Sequence, residues 1–145
     1  MINKEILSSN LTEWWESIRV LAANSPENEW EKMLSYLSDD CVLYFNGMNV
    51  APAKGKAEVK TTLSNLTSYW KLVKRNVTNL GFDENEITVF AAMNNQLEIL
   101  GIPLDFPETE VVKFDENAKI IHYELYCDST PIKAIFQMNI EKTEK

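Results

Sequence analysis

Apolar positions recur along this chain with two different periods. Leu7, Leu11, Trp14, Trp15, Ile18, Leu21 and Ala22 fall at helical spacing, which predicts a first amphipathic helix with a wide apolar stripe. A break follows at residues 23–27. Ser25 suits an N-cap and Pro26 a first helical position, so a second helix is predicted through Trp30, Met33, Leu34 and Leu37, ending near residues 38–40. Residues 41–46 form a short β-rich run closed by Gly47. Residues 48–53 suggest a second short strand, which Pro52 confines to an edge or an end. A third helix opens at Gly55, and its stripe runs Val59, Leu63, Leu66, Trp70 and Val73.

Beyond Trp70 the period drops to two. Residues 73–82 predict one strand, and residues 86–100 a longer one with Ile87, Val89, Ala91, Met93 and Asn95 on one face. Residues 101–107 carry two prolines and predict a loop. Residues 109–114 and 119–128 predict two further strands joined by a tight turn. Pro131 is expected to end the last strand, and residues 141–145 form a charged tail. The order is α-α-β-β-α-β-β-β-β. Helices gather early and strands late, which predicts an α+β fold with a mostly antiparallel sheet. Three amphipathic helices must bury their stripes on that sheet. A sheet curled around them would hold a cavity on its concave face.

At 145 residues the chain fits one domain that can bury a real core. Hydrophobic residues make up 45%, which excludes a disordered class. The net charge of -8 argues against a nucleic-acid surface and against an anionic membrane face. Two cysteines form neither a disulfide framework nor a metal-ligand spacing, and a single histidine excludes a His-rich metal site. No phosphate loop, nucleophile elbow or dinucleotide fingerprint is present, so no cofactor is expected. The polar start of the chain and the lack of a long apolar run lead us to expect a cytoplasmic, reduced protein.

The last predicted strand carries two alternating sets. Ile121, Tyr123, Leu125 and Cys127 read as a core face. His122, Glu124, Tyr126 and Asp128 form a row of groups able to give or take protons. That row faces either water, as on a half-solvated strand, or a pocket.

Several local cues come in a recognisable order. They are Trp30 in the second helix, Leu37-Ser-Asp-Asp-Cys-Val42 before the first strand, Gly55-Lys56 opening the third helix, and Lys119-Ile-Ile with Tyr126-Cys-Asp128-Ser-Thr-Pro131 at the end. Together they resemble the nuclear transport factor 2-like superfamily, and within it the SnoaL-like polyketide cyclases. The likeness covers about residues 5–132, within a single domain expected over residues 1–132, with residues 133–145 as a C-terminal extension.

The resemblance implies a cone-shaped, strongly curved sheet packed on three helices, with an apolar pocket at the wide end. It also implies that Tyr126 faces the pocket, and parity then carries His122, Glu124 and Asp128 inward as candidate catalytic groups. Tyr44, Asn46 and Tyr126 become candidate hydrogen-bonding groups, and Asn95 a candidate at the pocket rim. Trp14, Trp15, Trp70, Phe90 and Met93 become candidate apolar walls. The Asp that ketosteroid isomerases place at the end of the first strand is missing, since Phe45 and Asn46 stand there. Tyr44-Phe-Asn46 matches the Tyr-x-Asn of limonene epoxide hydrolases. Their Arg-x-Asp has only Met93-Asn-Asn95 as its counterpart.

The function implied is a cyclase or isomerase that moves protons on an apolar, polyketide- or terpenoid-like small molecule, in a homodimer and without a metal. The alternatives are a ligand-binding protein of the same fold and a dimeric interaction module.

Overall fold

The structure, a computed structural model, describes residues 3–85 and 87–144. Glu86, the predicted start of the long strand, and Lys145, the end of the predicted tail, lie outside the described residues. Helix α1 (Lys4–Arg19) starts where the Asn3 side chain accepts the Ile6 N–H, 3.0 Å away, and it buries Leu7, Leu11, Trp14 and Trp15. Helix α2 (Glu27–Leu34) buries Trp30 and Met33. Strand β1 (Leu37–Asn46) begins earlier than its β-rich run suggested, because Leu37 already pairs with Ile120. The short β2 (Ala53–Lys54) lies along β1, and α3 (Gly55–Thr67) buries Val59, Leu63 and Leu66.

Helix α3 stops before Trp70. That residue opens β3 (Trp70–Lys74), followed by β4 (Val77–Phe82), so one predicted strand is in fact two. They pair with different halves of β5 (Thr88–Ile99). Strand β6 (Ile102–Phe114) takes in the stretch predicted as a proline loop. Pro103 and Pro107 are tolerated because only β5 pairs with that half of β6. Strand β7 (Ile120–Cys127) joins β6 from Glu108 onwards, so the prolines sit on an open edge.

The sheet order is β2-β1-β7-β6-β5-β3, with β4 also on β5. All pairs are antiparallel except β1 with β7. The sheet curls into a half-barrel, and α1, α2 and α3 pack into its hollow. A fourth helix, α4 (Thr130–Glu144), replaces the expected tail. It buries Ile132 and Ile135, and Phe136 packs edge-on against Tyr69 with ring centroids 5.0 Å apart.

At the end of β1 the chain turns at Gly47, where φ is +93°. A Cβ there would lie 1.8 Å from the carbonyl oxygen of Cys127. Only glycine fits so close to that backbone.

Candidate functional site

Along the paired half of β6 the side chains alternate, and Phe106, Glu108, Glu110, Val112 and Phe114 all point into the core. Two of these five are acids, and burying a charge is costly unless it is paired. Their partner comes from the break between β3 and β4. There Arg75 reaches in, placing Nη1 3.4 Å from Glu110 Oε2 and 3.8 Å from Glu108 Oε1. Its guanidinium lies over the Trp15 ring, 4.6 Å from the centroid. Trp15 Nε1 donates to Glu110 Oε1 at 2.9 Å. Asn95 of β5 donates through Nδ2 to Glu108 Oε1 at 3.0 Å, and its own Oδ1 accepts the Asn76 backbone N–H at 2.9 Å.

This cluster forms the polar end of a cavity of about 70 Å³. The rest of the lining is apolar: Trp14, Trp15, Phe45, Trp70 and Tyr123 supply aromatic rings, and Leu43, Leu63, Leu66, Leu72 and Leu125 complete it. At about 10–15 Å³ per water-sized group, the volume holds roughly five such groups. Two larger hollows are open surface troughs with several charged side chains, among them Glu13, Glu16, Glu29 and Lys32 in one and Asp40, Lys113 and Asp115 in the other.

Two carboxyls beside one guanidinium leave one negative charge too many for a dry site. Burial, reinforced by the neighbouring charge of Glu110, pushes Glu108 well above the usual carboxylate range, although Arg75 and Asn95 pull it down. Glu108 Oε2 is buried and has no hydrogen-bond partner, and the same is true of Trp14 Nε1. Burial also holds the Tyr123 hydroxyl well above its ordinary value.

Trp14, Trp15 and Trp70 line the cavity. Met93, expected as wall, and Asn95, expected at the rim, are buried but are not among the lining residues; Met93 Sδ lies 3.2 Å from Arg75 Nη1, and Asn95 belongs to the acid cluster.

The expected inward row is corrected. Tyr123 and Leu125 face the cavity, so His122, Glu124, Tyr126 and Asp128 face away from it. His122 sits on the outer face, 37% exposed, with Nε2 3.4 Å from Glu124 Oε1. Asp128 is exposed and accepts the Thr130 N–H at the start of α4; the Thr130 hydroxyl, together with that N–H, holds its carboxyl below the usual range. Tyr126 is 46% exposed. On β1, Leu43 and Phe45 point in, so Tyr44 and Asn46 point out, and Tyr44 packs beside His122 with centroids 5.2 Å apart. Phe90 is 43% exposed on the outer face of β5.

The groups that sequence reasoning missed are Glu108, Glu110 and Arg75. Their signal was a pair of acids at alternating positions in line with Val112 and Phe114 on a strand face that is otherwise apolar.

No protein-family model and no curated protein matches the chain. Solved structures do. A SnoaL-like protein of Shewanella putrefaciens CN-32, named as a candidate polyketide cyclase, superposes with a TM-score of 0.71 at 11% identity, over 91% of this chain and 96% of that one. The chain has the nuclear transport factor 2-like fold. An LEH-like epoxide hydrolase from M. tuberculosis shares this cone at a TM-score of 0.65 and 16% identity, covering 86% of this chain and 84% of that one. So does a ketosteroid isomerase-like protein from Catenulispora acidiphila DSM 44928, in complex with trimethylamine, at 0.64 and 13%, covering 81% and 83%. The cone is thus common to proteins named for several different chemistries. Among the described residues, no group of His, Cys, Asp or Glu is placed to hold a metal ion, and no helix is long and apolar enough to cross a membrane.

Proposed function

We propose that the cone is an acid–base site for a small, mostly apolar molecule, and that the reaction is an isomerisation or ring closure driven by proton transfer. The observation that carries this reading is the acid pair at the end of an apolar cavity, with one oxygen of Glu108 unpartnered and Glu110 held by Arg75 and Trp15. Two carboxyls whose surroundings set them apart are suited to the roles of acid and base. Glu108 gives its proton to an oxygen of the bound molecule. Glu110 takes a proton from the carbon next to the carbonyl carbon. The enol that results returns a proton to Glu108, and Glu110 delivers its own to another carbon, so no proton is gained or lost. The cavity volume limits the reacting part of the molecule to a few non-hydrogen atoms. A larger polyketide or terpenoid would enter with one end only. That candidate cyclases, an isomerase and an epoxide hydrolase share the cone supports small-molecule proton chemistry without selecting among these reactions.

The test needs no knowledge of the natural substrate. The protein is incubated in D2O with a panel of small cyclic ketones, and deuterium entry beside the carbonyl is followed by NMR. The parent should exchange these positions, and Glu108→Gln and Glu110→Gln should lose about 100-fold or more of that rate. Exchange that is equal in all three proteins refutes the assignment. A second reading, binding without turnover, is favoured by one observation: both oxygens of Glu110 already accept hydrogen bonds or pair with Arg75. It predicts saturable binding of the ketones with no exchange. The same proposal takes the chain to be cytoplasmic and homodimeric through the outer sheet face, where Phe90 and Tyr126 are exposed. Light scattering at micromolar concentration tests the dimer.

A further inference from the structure

Beyond β5 the sheet ends in an open edge, formed by β3 and β4 lying in line along that strand. An open strand edge invites another strand, and proteins blunt it with charges, prolines or brevity. Elsewhere this sheet follows that rule. Strand β2 is two residues long, β3 carries Lys71 and Lys74, and the open half of β6 carries Pro103, Asp105 and Pro107. Strand β4 does not follow it. Its six residues, Val77-Thr-Asn-Leu-Gly-Phe82, hold neither a charge nor a proline, and Val77 and Leu80 are 40% and 43% exposed. A register shift between Val77 and Asn79 bends its start, and from Asn79 to Phe82 the pairing with β5 is regular. Next along the chain, the Asp83 N–H donates to the Thr88 carbonyl, 3.2 Å away. Bonded and non-bonded pairs alternate in an antiparallel ladder. Gly81 and Asn79 therefore bond to β5, and the N–H and C=O groups of Leu80 and Phe82 point away from it. Leu80 stands opposite the buried Ala91, which puts its side chain on the concave side of the sheet, at the rim.

We infer that β4 pairs with β4 of a second copy of this chain, antiparallel about a two-fold axis at Leu80, so that the two sheets run on as one. A strand that pairs with itself about a two-fold axis must be complementary end to end. This one is. The exposed charges that flank it are Lys74 on one side and Glu84 on the other. Antiparallel pairing brings opposite signs together at both ends, whereas parallel pairing would set like against like. With the axis at Leu80, Glu84 of each copy stands opposite Asn76 of the other and diagonal to its Lys74, within reach of long side chains. The backbone fits the same register. Leu80 meets Leu80 of the second copy, so outward groups meet outward groups and exchange two hydrogen bonds. The two Leu80 side chains then lie side by side on the concave side and shield each other from water. This contact is independent of the acid–base reading and separate from the outer-face contact proposed above, which leaves the β4 edge open.

Sedimentation velocity of the full chain over a concentration series tests the pairing. So short an edge buries little surface, so association should appear at micromolar concentration and above. Leu80→Pro removes an N–H that β5 does not use, so the fold should persist by circular dichroism while self-association weakens at least about tenfold. Leu80→Lys sets two cations against each other at the axis without asking for a new backbone conformation. It should weaken association in the same way, and it decides the question if the proline variant does not fold. Phe90→Asp strikes the outer-face contact instead, and should leave an association that Leu80→Lys still takes apart. Single cysteines report the register. Asn79 and Gly81 face each other across an axis at Leu80, in a non-bonded pair close enough for a disulfide. Under mild oxidation a mixture of Asn79→Cys and Gly81→Cys should link into a pair, and neither variant alone should link above the parent, whose own Cys41 and Cys127 set the background. A parent that stays monomeric throughout overturns the inference and leaves a strand of another protein as the occupant of this edge. Association that survives both Leu80 substitutions, reduction to monomers by Phe90→Asp alone, or linkage of either single-cysteine variant with itself overturns it as well.

Discussion

Arg75→Met is the sharpest test of the buried charge cluster. The substitution keeps an unbranched apolar stem and removes the cation shared by Glu108 and Glu110. All three side chains are largely out of water, at 15% exposed for Arg75, 5% for Glu108 and 2% for Glu110. Removing one partner of a buried ion pair costs about 3–5 kcal/mol, because the other charge is stranded. Losing the stack on Trp15 adds about 1 kcal/mol at any pH.

The pH dependence separates these two contributions. In the parent, Glu108 stays protonated in the folded state above its unfolded value of about 4.3. Below that value both states hold the proton and stability does not change with pH. Above it the unfolded chain loses a proton that the folded chain keeps, so stability falls by up to about 1.4 kcal/mol per pH unit until Glu108 ionises in the fold. In Arg75→Met both acids must hold protons, and the slope should rise to at most about 2.8 kcal/mol per unit. The deficit of the variant should therefore be about 1 kcal/mol near pH 4.5 and grow to several kcal/mol by pH 8. Urea unfolding followed by tryptophan fluorescence at both pH values measures it. A deficit that is the same at pH 4.5 and pH 8 would mean that Arg75 contributes packing alone, and the charge account would fail.

Two other outcomes follow from the placement of residues. Gly47→Ala puts a methyl group into the Cys127 carbonyl in a backbone conformation with positive φ, and should lower stability by more than about 3 kcal/mol, read as a large fall in Tm. His122→Ala and Asp128→Asn change groups on the outer face and at the start of α4, so deuterium exchange on the ketone panel should match the parent in both. A loss of exchange in His122→Ala would return the chemistry to the outer row.

The fold was legible because its signals are long. The stripes of α1 and α3 and the period-two run after Trp70 each extend over several turns or strand residues, and tertiary packing agrees with them. Trp70 fitted the stripe of α3 by spacing, yet it opens β3; either geometry turns it inward, so the error cost nothing at the site. Helix α4 was obscured by Pro131, which reads as a terminator but is tolerated in a first turn. The stripe Ile132, Ile135, Phe136 was there to be seen. Strand β6 was hidden by two prolines that sit only where one side of the strand is unpaired.

The site was half legible. Alternation along β7 already separated Tyr123 and Leu125 from His122 and Glu124, and the apolar set was the correct inward one. In a curled sheet packed on helices, core and cavity share the concave face, so a row of polar groups opposite the core faces water. The family likeness had argued the reverse for Tyr126. Glu108 and Glu110 were passed over because acids on a strand ordinarily mark its wet side, and nothing local announces an arginine 33 residues upstream of Glu108 as their partner.

The central claim is that burial holds the Glu108 carboxyl protonated well above the ordinary carboxylate range. Infrared difference spectroscopy of the parent against Glu108→Gln measures this directly. A protonated-carboxyl carbonyl stretch present in the parent at pH 7, absent from the variant, and lost from the parent only at more alkaline pH is the predicted result. A spectrum at pH 7 that shows carboxylate bands alone at this position would contradict the account.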